Sequence, residues 1–119
     1  MPTKIERARV DDARRGSAAS RGYNHRWSKA SATFLQRNPL CAYCAMRGFV
    51  TPSQCTDHLY PHRWAIYAGV FWETKWWVAS CDPCHSGFKQ GVERQGSEAL
   101  DQLARRLGRP VFVAVQSDI

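Results

Sequence analysis

The chain has 119 residues, and no apolar run in it approaches the ~18 residues of a membrane-spanning helix. A membrane partner is therefore not expected. Its N-terminal stretch is basic and polar and has no apolar core of the secretory kind. A cytoplasmic protein is the expectation. There are no internal repeats and no linker long enough to separate a second domain. Acidic residues are scarce: ten Asp/Glu face seventeen Lys/Arg, for a net charge of +7 and a pI near 9.5. The imbalance is local, because residues 1–40 carry nine basic against three acidic residues and the remainder is close to neutral. A basic arm ahead of a near-neutral body points to a polyanion, most simply nucleic acid, or to a solubilising tail.

A chain this short is one small domain with a marginal core, which a metal staple would relieve. Five cysteines are present. Four form two Cys-x-x-Cys pairs, Cys41–Cys44 and Cys81–Cys84, and Cys55 is left over. Paired knuckles without a secretory signal point to zinc rather than to disulfides. A redox role is disfavoured by the presence of two pairs and the lack of a thioredoxin-like strand–helix–strand pattern. Four thiolates make the closed tetrahedral set that structural Zn²⁺ prefers.

Residues 1–22 are small, polar and charged and are expected to be a flexible basic arm. Trp27, Ala30, Phe34 and Leu35 recur at helical spacing, which predicts an amphipathic helix over about 24–37, ended by Asn38-Pro39. Phe49-Val-Thr51 and Gln54-Cys-Thr56 flank Pro52-Ser53 and read as a short hairpin. Residues 64–78 are rich in aromatics, read mainly as core, with a stacking role open for one or two of them. Trp76-Trp-Val-Ala79 reads as a strand. Cys81-x-x-Cys84-His85 is expected to open a helix that continues through Phe88 and Lys89, with an extension to Val92 left open. A second is expected over Glu98–Leu107 behind Ser97 as its cap, stopped by Gly108 and Pro110. Val111-Phe-Val-Ala-Val115 is β-prone, as a tail or an interface strand.

A closed four-cysteine site has no open position, so chemistry needs other residues. Asp57, His58 and His85 all lie against the knuckles. On an extended segment Asp57 and His58 point to opposite sides, so one can ligate a metal while the other faces a substrate.

The order Cys-x-x-Cys, Asp57-His58-x-x-Pro61-His62-Arg63, Phe71-Trp72, then Cys81-x-x-Cys84-His85 resembles the HNH endonucleases, in particular the small zinc-stapled kind encoded by phages and prophages. The resemblance runs from about Arg21 to Gln90 and includes Arg26-Trp27 and Asn38-Pro-Leu-Cys41. It implies an α+β fold: a small ββα-metal (His-Me finger) core stapled by a four-cysteine zinc site, with flanking helices. The nuclease domain would occupy 23–108, with 1–22 as the arm and 109–119 as a C-terminal tail.

The resemblance also implies roles. His58 would be the general base, and Asp57 and His85 the ligands of a catalytic divalent cation, with 5′-phosphate and 3′-hydroxyl products from DNA. Arg63 and Lys89 are expected to contact substrate, and His62 to support the base. For Arg63 and His62, plain structural hydrogen bonding is the alternative. The cation would be Mg²⁺ or Mn²⁺ if the oxygen ligand dominates, Ni²⁺ or Zn²⁺ if the imidazole does. Phage terminase or packaging proteins in a bacterial host cell are the family-level partners. The chain departs from the family at Trp76, where the family carries the Asn that braces the loop of the base. That departure motivates an alternative: a zinc-stapled nucleic-acid-binding module with a decayed nuclease site.

Overall fold

A computed structural model describes residues 24–114. The basic arm expected over 1–22 and the last five residues of the expected tail lie outside the described residues. The chain divides into two compact units between Thr33 and Phe34, and the second carries every residue of the site discussed below. The architecture is small α+β.

Helix α1 spans His25–Arg37, close to the range that the apolar spacing predicts. Asn24 starts it: its side-chain Oδ1 accepts the Trp27 N–H at 3.0 Å, satisfying a donor that the first helical turn leaves over. Asn38-Pro39 ends it, since proline disfavours helical geometry in the residue before it. The Asn38 side chain donates back to the Phe34 carbonyl at 2.9 Å.

The first knuckle is built on a short helix, α2, Ala42–Met46. Cys41 caps it, with its Sγ accepting the Cys44 N–H at 3.4 Å. Gly48 then turns the chain at φ +87°, a conformation that costs an L side chain roughly 1–2 kcal/mol.

The hairpin expected from 49–51 and 54–56 does not form. The segment after Gly48 folds back on the residues before the knuckle instead. Cys41 N–H bonds the Thr51 carbonyl at 2.7 Å and Ser53 N–H bonds the Pro39 carbonyl at 2.8 Å. Pro52 lacks a donor for a ladder, and Phe49 and Val50 stay exposed.

Strand β1, Cys55–His58, pairs antiparallel with β2, Trp77–Ser80, with Cys55 opposite Ser80 and His58 opposite Trp77. Every residue of β2 is buried, which explains its nearly unbroken apolar character. Gln54 and Leu59 extend the ladder at either end, bonding the Ser80 and Trp76 carbonyls at 2.8 Å each.

The second knuckle leads into a helix that begins unusually. Cys84–Phe88 form a wide π-helical turn, and α3, Lys89–Gln95, continues it in α geometry. Gly96 breaks the helix at φ +97°. Helix α4 covers Ser97–Arg106. Gly96, rather than Ser97, holds its capping position and Ser97 is its first residue, a one-residue departure from the expectation. Leu100, Leu103 and Ala104 are buried, as the spacing predicts.

The described part of the C-terminal segment is neither strand nor loose tail. The Phe112 ring lies 5.0 Å from the Tyr67 ring and 5.6 Å from Trp76. Its N–H bonds the Tyr60 hydroxyl at 3.0 Å, and the Trp76 indole donates to the Pro110 carbonyl at 2.8 Å. The aromatic run is core where it matters most: Tyr67, Trp76 and Trp77 are buried.

Candidate functional site

Two clusters stand at the β1–β2 pair and the helix that follows it. The first is the thiol cluster. Cys41, Cys44, Cys81 and Cys84 are all buried, and their sulfurs lie within 4.8 Å of one another. Cys44 Sγ is 3.8 Å from Cys81 Sγ and 3.5 Å from Cys84 Sγ. A tetrahedron of ~2.3 Å Zn–S bonds has sulfurs ~3.8 Å apart, so four buried donors of the right kind are preset to hold a structural metal such as zinc. Arg47 adds a cation: its Nη2 reaches Cys84 Sγ at 2.9 Å, and its guanidinium lies 4.7 Å over the Phe88 ring. Four thiolates outweigh the charge of a divalent ion, and Arg47 offsets part of the excess.

The second cluster centres on Asp57, which β1 buries to 4 % exposure. His85, in the π-helical turn, brings Nδ1 to 3.0 Å from Asp57 Oδ1. The other oxygen, Oδ2, accepts from the Tyr43 hydroxyl and lies 3.2 Å from Lys89 Nζ. Burial, the largest influence, pushes the Asp57 carboxyl up. The His85 hydrogen bond, the Lys89 charge and the Tyr43 hydroxyl together outweigh it and hold the group below its ordinary value. The Asp57 hydrogen bond in turn raises His85 against the opposing effect of burial. Tyr43 is raised well above its ordinary value, by burial first and then by Asp57, so it remains a donor.

Asp57 Oδ1 and His85 Nδ1 also fit a metal. Adjacent donors in an octahedron of ~2.1 Å bonds are ~3.0 Å apart. Without an ion, the same spacing suits an N–H···O hydrogen bond. Metal and proton would therefore compete for His85 Nδ1. With only two protein ligands, such an ion would keep positions for water and phosphate.

His58, next along β1, faces elsewhere. Its Nε2 lies 3.0 Å from the Phe71 carbonyl, and its ring packs 4.6 Å from both His62 and Phe71. A carbonyl only accepts, so Nε2 carries the proton and Nδ1 is the basic nitrogen of the neutral ring. The Trp77 indole donates to the same carbonyl at 2.9 Å. Burial, then the neighbouring His62, lowers His58 to about 4. His62 is itself lowered by burial and by Arg63.

Comparison with protein-family models, with curated proteins and with solved structures finds no match to this chain. No helix among the described residues is long and apolar enough to cross a membrane.

The residues singled out in the sequence separate into groups. Asp57 and His85 meet. His58 and His62 meet on the other side of the strand. Arg63 leaves its side chain 64 % exposed while Nη2 bonds Glu93 Oε1 at 3.0 Å. Lys89 departs from its reading as a substrate contact: it is 1 % exposed. Its ammonium lies against Asp57 Oδ2, Glu93 Oε2 at 3.9 Å and the His58 carbonyl at 2.8 Å. An ammonium has three donors, and three internal acceptors surround this one. The π-helical turn and the charge of Asp57 together draw it inward.

Three functional neighbours have little signature in the sequence. Tyr43 sits between the cysteines of the first knuckle, where nothing local marks its reach to Asp57. Arg47 is a basic residue three positions past Cys44, a weak signal. Glu93 stands four residues after Lys89, the spacing of a helical ion pair, and is the most legible of the three. Cys55, the fifth cysteine, is raised to about 11 by burial and then by Asp82, and takes no part in either cluster. Its thiol donates to the Ser80 carbonyl.

Proposed function

We propose that this protein is a metal-dependent DNA endonuclease of the HNH type, with β1, β2 and the helix carrying His85 as its ββα-metal core and zinc in the four-cysteine cluster as its staple. The observation that carries the proposal is the meeting of Asp57 and His85. These residues lie 28 apart in the chain and hold Oδ1 and Nδ1 3.0 Å from each other, beside a histidine that a carbonyl has set in one tautomer.

A phosphodiester needs an activated nucleophile, neutralised charge and a stabilised leaving group. A divalent cation on Asp57 and His85 supplies the last two when bound. His58 supplies the first. Its low basicity keeps it neutral at pH 7, and with Nε2–H held by Phe71, Nδ1 accepts a proton from the attacking water. Phe71 thereby does for His58 the orienting work that the family assigns to the Asn replaced here by Trp76. Arg63, mostly exposed beside Glu93, is the phosphate contact. The chain's +7 charge favours a polyanionic substrate. Phage or prophage origin, a bacterial cytoplasm and packaging proteins as partners belong to the same proposal.

The test is plasmid cleavage by purified protein with Mg²⁺, Mn²⁺ or Ni²⁺, beside His58→Ala and His85→Ala. Metal-dependent cutting that both substitutions abolish is the expected result. Wild-type rates in His58→Ala would refute the mechanism.

A second reading has its own support. The Trp76 indole is committed to the Pro110 carbonyl and its ring to the core, and Asp57 is satisfied without a metal. A zinc-stapled nucleic-acid-binding module with a decayed site fits those two observations. It predicts salt-dependent DNA binding without product under every metal.

A further inference from the structure

We infer that Lys89 and Tyr43 form a lock on Asp57 that restricts it to a single metal-facing oxygen and so selects small octahedral cations over Ca²⁺. The inference rests on the proposed reading of Asp57 and His85 as metal ligands.

The lock is visible atom by atom. Both donors converge on Oδ2: the Tyr43 hydroxyl and the Lys89 ammonium at 3.2 Å. Oδ1 faces His85 instead. The two oxygens of one carboxylate therefore have divided duties. Lys89 cannot swing aside to release Oδ2. Its ammonium is buried, donates to the His58 carbonyl at 2.8 Å and has the second carboxylate, Glu93, at ion-pair distance, 3.9 Å. Tyr43 is equally fixed, being fully buried in the helix that the first knuckle caps.

Two consequences follow for any ion. First, Asp57 binds through one oxygen. Ca²⁺ takes six to eight oxygens, often with a bidentate carboxylate, whereas Mg²⁺ and Mn²⁺ accept a single oxygen and keep their waters. Second, the Lys89 charge cancels the Asp57 charge at close range. The ion is held weakly and remains responsive to a phosphate that brings negative charge of its own. Lys89 is thus a positioning residue: it acts through Asp57 and touches no substrate. The same ammonium ties the His58 carbonyl, so one buried cation holds the backbone of the base and the carboxylate of the ligand in register.

The test is Mn²⁺ titration by electron paramagnetic resonance, with Ca²⁺ competition, on zinc-loaded protein. Lys89→Met is expected to bind Mn²⁺ about tenfold more tightly as the cancelling charge goes, and Ca²⁺ is expected to become an effective competitor. Tyr43→Phe keeps every charge and frees one bond on Oδ2; about a threefold gain is expected, as for loss of one hydrogen bond. A lysine that served only packing would not move the Mn²⁺/Ca²⁺ ratio. If Lys89→Met does not fold, Tyr43→Phe decides. Unchanged or weaker Mn²⁺ binding in folded Tyr43→Phe overturns the lock. If His85→Ala binds Mn²⁺ as the wild type does, the metal-site reading itself fails, and the lock with it.

Discussion

The four-cysteine cluster and the Asp57 cluster lie on the same strand pair and helix, yet they solve opposite problems. The thiols gather four like donors, each buried, with the Arg47 cation against one of the sulfurs. Ionised, they repel; protonated, they are poor partners for each other. A metal satisfies all four at once. The Asp57 cluster is already balanced by Lys89, Tyr43 and His85. It keeps its shape without an ion. The two clusters therefore differ in what the protein itself supplies: the first gathers four like donors beside one cation, and the second is closed by its own hydrogen bonds and ion pairs.

The largest expected effect follows from the first half of that comparison. Structural zinc contributes about 10–16 kcal/mol in small zinc domains at neutral pH. Stripping metal with a strong chelator, or Cys44→Ser, should abolish the cooperative thermal transition in circular dichroism. A chain that melts normally without its metal would break the comparison at once.

The second half predicts loss of chemistry without loss of fold. If the proposed nuclease reading holds, His58→Ala should cut the plasmid-cleavage rate by about 10²–10⁴-fold, the usual contribution of a general base, while the melting curve stays cooperative. Parallel loss of both would mean that His58 serves packing against Phe71 and His62.

The internal balance of the Asp57 cluster can be tested next. Lys89→Met leaves Asp57 and Glu93 buried without their shared cation and should cost about 3–5 kcal/mol in urea denaturation. Arg63→Ala removes a partner of Glu93 whose side chain is mostly in water, so less than about 1 kcal/mol is expected. Equal costs would show that the burial of Lys89 is not what holds the cluster.

The last test concerns pH, where two histidines should oppose each other. His58 is lowered from 6.5 to about 4 in the folded chain. Protonation then favours the unfolded state, so stability is retained above about pH 6.5 and lost as pH falls toward 4, by about 3 kcal/mol. His85 is raised by Asp57. Its contribution is full below the ordinary histidine value and is lost as pH rises through its folded value. Imidazole NMR titration of the zinc-loaded protein, with no other divalent ion present, separates them. Titration of both near pH 6.5 would remove the distinction between the two sides of β1.

Local signals carried much of the fold. Asn38-Pro39 ends α1 because proline constrains its predecessor wherever it occurs. The i, i+3, i+4 spacing of Leu100, Leu103 and Ala104 marks the buried face of α4 because helical periodicity is set by the backbone. The partner of β1 is not legible in this way. Residues 49–51 stand nearer in sequence and look as β-prone, but pairing with Trp77–Ser80 buries a whole strand and closes the thiol cluster. That gain appears only when distant segments meet. The tail defeats local reading for the same reason: Phe112 finds Tyr60 and Tyr67 across a long stretch of chain, which its own neighbours do not foretell.

For the candidate site, the sequence by itself determined the candidate donors: two Cys-x-x-Cys pairs, an Asp-His step on an extended segment and a histidine just after the last cysteine. Side-chain type and short spacing suffice for that, because donor atoms and strand alternation are local properties. Only the tertiary structure decided that Lys89 lies inside, that Tyr43 reaches Asp57 and that Phe71 orients His58. Each of those depends on where a buried charge or a backbone carbonyl finds its complement, and that search runs over the whole folded chain.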